Sequence, residues 1–131
     1  MENQVTSIEQ SKRLIELGVP ADKASMVWAT CSGKYHLSVL PHYKATPEYI
    51  KSGESIPAFT VADLLGLIRS VIFTTNELNP TLEKIGEDEW AFEFSQISED
   101  EDYGFSRNKS LVELLVGRIE WIVSNGYKLN I

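Results

Sequence analysis

SLVELLVGRIEWIVSN, Ser110–Asn125, is the stretch whose reading decides the fold. Ser110 followed by Glu113 has the pattern of a capping box, in which hydroxyl and carboxylate satisfy exposed N–H groups at a helix start. Gly126 supplies the left-handed residue at which helices commonly end, and Tyr127 is placed to fold back onto Ile122. Between these ends Leu111, Leu115, Ile119 and Ile122 recur at helical spacing. Leu114 and Trp121 flank that row on one side, Val112 and Val123 on the other. An apolar arc so wide has to be covered by other elements, so the spacing predicts a core helix. Arg118 falls inside the arc. Its stem is expected either to snorkel over Trp121 or Ile122 to solvent, or to pair with a carboxylate, Glu93 or a member of the acidic loop.

Upstream of this helix the pattern changes from helical to alternating. Trp90, Phe92 and Phe94 alternate with Ala91, Glu93 and Ser95, as in a strand with one face buried. Thr81–Ile85 and Glu89–Ser95 flank the turn Gly86-Glu87-Asp88, which predicts a hairpin. SQISEDED reads as a loop, with Tyr103–Phe105 a short optional strand. Asn76 to Pro80 reads as a break. Before it, Val61, Leu64, Leu65, Leu67, Ile68, Val71 and Ile72 form one helical stripe, capped by Thr60 and Asp63, with Phe59 placed to staple against Leu64. Ile56-Pro57-Ala58-Phe59 leads into that helix, and His42 to Ser55 reads as a polar connection.

The first third repeats these themes. Thr6 and Glu9 fit a second capping box, opening a helix to about Leu17, with Ile8, Leu14, Ile15 and Leu17 inward and Glu9, Lys12, Arg13 and Glu16 outward. Gly18 ends it and Pro20 prevents continuation. Ser25–Cys31 and Lys34–Leu40 then read as a hairpin turning at Ser32-Gly33. The expected order is α-β-β-α-β-β-(β)-α. This is an α+β fold, with an antiparallel sheet of about four to five strands and three helices packed on it, in a single globular domain over residues 1–131.

Composition narrows the function classes. The 131 residues are 43% apolar and 24% charged, as in an ordinary globular chain rather than a disordered one. MENQVTSIEQ has neither the basic start nor the apolar run of a signal peptide, and Gly66, Arg69, Gly117 and Arg118 interrupt the apolar stretches, so no membrane span is expected. A single cysteine, Cys31, precludes an internal disulfide, and a cytoplasmic location is the default expectation. Charge is uneven. Glu87, Asp88, Glu89, Glu93, Glu99, Asp100, Glu101 and Asp102 lie between Ile85 and Ser106 with no Lys or Arg among them. Removing these eight charges from the net −7 leaves +1 for the rest. Nucleic-acid binding is therefore not expected, because it depends on clustered cations.

Catalytic and metal signatures are weak. His36 and His42 are the only histidines, at a spacing that is not helical and with Pro41 between them, so a zinc site has no support. Cys31 and His36 could form a thiolate pair across the hairpin, although a lone cysteine ordinarily behaves as a small hydrophobe. The run Glu99–Asp102 lacks the Gly and Glu positions of a calcium loop and reads as a solvated loop. No phosphate-binding Gly-rich loop, G-x-S-x-G or H-E-x-x-H occurs. Trp28, Tyr35, Trp90, Phe92 and Phe94 read as core, since base-stacking platforms carry flanking cations.

The segments SIEQSKRLIELGVPADKASMVW, IPAFTVADLL, the aromatic strand around Trp90 and LVELLVGRIEWIVSNGY, in that order, resemble a set of small uncharacterised proteins of gut bacteria and their prophages and mobile elements. The matched positions are caps and core, so the resemblance implies a fold and a genomic setting and no activity; the acidic 99–102 stretch departs from it. The combined expectation is a non-catalytic protein-interaction module of phage or mobile-element type, without cofactor or metal. Its expected contact surface is Glu87, Asp88, Glu89, Trp90, Glu99, Asp100, Glu101 and Asp102. Two alternatives stand beside it: an acidic nucleic-acid mimic that blocks a DNA-binding protein, and a small enzyme assembled from His36, Glu93 and Arg118. A homodimer through an edge strand or an apolar helix face is a further possibility.

Overall fold

A computed structural model describes residues 4–31, 33–39, 55–68, 71–73, 76–95, 106–129 and 131. The fold class is α+β. Its elements in chain order are α1 (Ile8–Glu16), a 3-10 turn (Ala21–Lys23), β1 (Met26–Cys31), β2 (Lys34–Val39), β3 (Ser55–Ala58), α2 (Val61–Ile68), β4 (Val71–Phe73), β5 (Asn76–Ile85), β6 (Glu89–Ser95), β7 (Ser106–Asn108) and α3 (Leu111–Ser124). Contacts divide the chain into two compact units, Met1–Asp63 with Ile131, and Leu64–Asn130.

The first unit is built on the antiparallel sheet β2-β1-β3. The expected hairpin is present, with Met26 opposite Val39 and Cys31 opposite Lys34. Trp28 and Thr30 therefore share a face with Leu37 and Tyr35, as their alternation predicts. On the other edge of β1 the structure corrects the sequence reading. Ser55–Ala58, expected only to lead into a helix, pairs with β1 from Met26↔Ala58 to Ala29↔Ser55 and is buried throughout. Pro57 hides this strand from pattern reading, yet proline is tolerated where a strand lies at a sheet edge and its missing N–H breaks no ladder.

The start of α1 also differs. The N-cap is Ser7, whose hydroxyl accepts from the Gln10 N–H at 3.2 Å while the Gln10 side chain accepts from the Ser7 N–H at 2.9 Å. Thr6, the expected cap, is fully buried and committed elsewhere. Its N–H donates to the Phe59 carbonyl at 2.9 Å, and its hydroxyl accepts from the Phe59 N–H at 2.9 Å. That hydroxyl also shares a 2.6 Å hydrogen bond with Ser11, and the Thr6 carbonyl accepts from the Trp28 indole N–H at 2.9 Å. One residue thus ties α1 to the segment after β3 and to β1. The end of α1 is as expected: Gly18 adopts φ +100°, and the Val19 N–H closes onto the Leu14 carbonyl at 3.0 Å.

The reading of α2 holds at its start. The Thr60 hydroxyl accepts from the Asp63 N–H at 3.1 Å, and Asp63 Oδ2 accepts from the Thr60 N–H at 2.9 Å. Asp63 also accepts from the Ser25 N–H at 2.8 Å and from its hydroxyl at 2.6 Å, which fixes where β1 begins. The helix ends earlier than its stripe suggests. Val71 and Ile72 belong to β4 rather than to α2; both are β-branched, and a short apolar run fits either period.

In the second unit β5, β6 and β7 form an antiparallel meander, which β4 extends by pairing with Asn76–Leu78. Asn76–Pro80 is therefore strand and not a break. Because β4 reaches only Leu78, Pro80 sits where β5 has β6 alone as its described neighbour, opposite Phe94, and its missing donor disturbs no second ladder. The described chain thus holds seven strands in two sheets where four to five in one sheet are expected. Ser106–Asn108 pairs with β6; the expected strand Tyr103–Phe105, like the loop before it, lies outside the described residues.

Helix α3 packs on β6 and β7. Val112, Leu114, Leu115, Val116, Ile119 and Ile122 are buried along it, as is Phe92 of β6. Each such side chain is worth roughly 1.5–3 kcal/mol of hydrophobic transfer. The Ser110 hydroxyl accepts from the Glu113 N–H at 3.2 Å, as expected, but the Ser110 N–H donates to Asn108 Oδ1 at 2.8 Å, so a β7 side chain supplies this half of the cap. At the other end Gly126 takes φ +80°, the Tyr127 N–H donates to the Ile122 carbonyl at 3.0 Å, and the Tyr127 ring lies 6.0 Å from that of Trp121.

Candidate functional site: the acidic hairpin

The β5–β6 register sorts the expected contact residues onto two faces. Thr81 stands opposite Glu93, Glu83 opposite Ala91 and Ile85 opposite Glu89, so these six share one face. Arg107 joins them, opposite Ala91 from the β7 side. Leu82, Lys84, Trp90 and Phe92 occupy the other face, the one that Phe92 buries. Glu83 and Glu93 are exposed, and the turn adds exposed Glu87 and Asp88 at the hairpin end. Among the described residues none of these four carboxylates has an ion-pair partner.

Two of the expected contact residues are engaged within the unit. Glu89 is half-buried and accepts from Arg107 Nε at 2.7 Å, so a cation on the same face answers this acid. Trp90 is half-buried with Lys84 Nζ 5.9 Å from its ring centroid. That contact is worth about 0.5–1 kcal/mol at an exposed site. The remaining members, Glu99, Asp100, Glu101 and Asp102, lie outside the described residues. Glu83, in contrast, was not singled out by the sequence. Its signal is the alternation Thr81-Glu83-Ile85, which puts it beside Glu93 only once the β5–β6 register is known.

Between these carboxylates lies an open concavity of about 220 Å³, lined by Thr81, Glu83, Ile85, Ala91, Phe92 and Glu93. Its lining combines apolar Ile85 and Ala91 with acidic Glu83 and Glu93. Such a surface attracts a cationic group, with each exposed ion pair contributing about 0.2–1 kcal/mol. Among the described residues, no group of three or more His, Cys, Asp or Glu side chains is placed to hold a metal ion.

The residues considered for catalysis fall in both units. His36 is exposed on β2 in the first unit, opposite Ala29, two register steps from Cys31. In the second unit, Glu93 is exposed on the outer face of the hairpin, whereas Arg118 is buried on α3 with its guanidinium carbon 5.3 Å from the Trp121 ring centroid. The expected packing of Arg118 over Trp121 is present, and the acidic loop, the other expected source of a carboxylate for it, lies outside the described residues. His42 lies outside the described residues.

The fold and the hairpin together describe a small α+β protein with a locally acidic sheet face. No protein family, curated protein or solved structure matches the chain. Among the described residues, no helix is long and apolar enough to cross a membrane.

Proposed function

We propose that this chain is a non-catalytic interaction module of phage or mobile-element type that works in the cytoplasm by binding a partner protein through the acidic β5–β6 hairpin. The observation that carries the reading is the exposure of Glu83, Glu87, Asp88 and Glu93 on one hairpin, none with an ion-pair partner among the described residues. Exposed carboxylates attract a basic surface and steer its approach, an effect that weakens as salt rises. Glu89 and Trp90, half-buried and each beside a cation of a neighbouring strand, flank these acids.

The test is capture of partners from host lysate by the tagged chain and by a variant carrying Glu83→Gln, Glu87→Gln, Asp88→Asn and Glu93→Gln. A discrete protein retained at moderate salt by the parent chain, and reduced roughly tenfold in the variant, is the expected result, from four exposed pairs at the magnitudes above. Equal capture by both chains would place the contact surface elsewhere. A captured DNA-binding protein that DNA displaces in competition would favour the nucleic-acid mimic over a general interaction module.

A further inference from the structure

We draw no further inference here: the strongest candidate, the open concavity between Glu83 and Glu93 on the outer face of the β5–β6 hairpin, belongs to the acidic surface already described, and no second observation points to a ligand for it.

Discussion

In Met1–Asp63 three of the fully or nearly fully buried residues are hydroxyl-bearing, Thr6, Ser11 and Ser55, whereas in Leu64–Asn130 the buried row along α3 is aliphatic except for Arg118. The first unit adds a directional network to its apolar core of Leu14, Val27 and Phe59. The second relies on side-chain volume, with Phe92 and Ile119 fully buried. A hydrogen bond contributes little net free energy but is costly when one partner is left unpaired in the interior. Packing contributes more in total and tolerates small shifts better. The first unit therefore gains a fixed register for its N-terminal segment, and the second gains most of its stability from packing.

Four single substitutions, and one double variant, test this contrast. Phe92→Ala should have the largest effect, a loss of about 3–5 kcal/mol from a buried aromatic and the cavity it leaves. Chemical denaturation monitored by far-UV circular dichroism would read it; a loss under 1 kcal/mol would show that the β6 core collapses to fill the space. Thr6→Val comes next. The volume stays nearly constant, but the Phe59 N–H and the Ser11 hydroxyl lose a buried partner, at about 1–3 kcal/mol for each such group. Exchange of the Phe59 amide should accelerate at least tenfold, as each 1.4 kcal/mol is a factor of ten. Adding Ser11→Ala should recover part of the loss, because removing both partners strands fewer polar groups; a strictly additive double variant would mean that the two hydroxyls do not act as a pair.

Gly126→Ala should cost less, about 1–2 kcal/mol, the penalty of a left-handed backbone for a residue with a Cβ. Nothing lies within 4 Å of a Cβ built there, so the cost is conformational and not steric. A thermal midpoint unchanged from the parent would indicate that the end of α3 frays and escapes the strain. Arg107→Ala should do least, no more than about 1 kcal/mol, since its side chain is 60% exposed and Glu89 remains partly solvated. Its value lies in the comparison with the buried hydroxyls: a loss exceeding that of Thr6→Val would reverse the ranking of surface charge and interior hydrogen bonds.

The acidic hairpin was partly legible in advance. Its strands, its turn and the exposure of Glu87 and Asp88 follow from alternation and local charge, which depend on neighbours a few residues away. The inclusion of Glu83 and the engagement of Glu89 by Arg107 do not, because they depend on which residue of β5 faces which residue of β6, and on β7 lying alongside. Likewise Trp90 belongs to an alternating aromatic strand in the sequence, and only the β5–β6 pairing shows Lys84 opposite it, with the ammonium 5.9 Å from the ring centroid.

By itself the sequence determined the α+β class, the positions of three helices, the β1–β2 and β5–β6 hairpins, and the glycine ends of α1 and α3. These are local matters: a cap or a turn is satisfied by residues three to five positions away, and periodicity reports which side of an element is apolar. Tertiary structure decided the rest. Pro57 and Pro80 lie in strands where no second described strand requires their missing N–H groups, a condition set by sheet order. Thr6 gives up the cap to Ser7 because Phe59, Ser11 and Trp28 converge on it in the interior, and Val71 leaves the α2 stripe to pair with Leu78. In each case a partner distant in the chain outweighs a local preference worth about 1 kcal/mol.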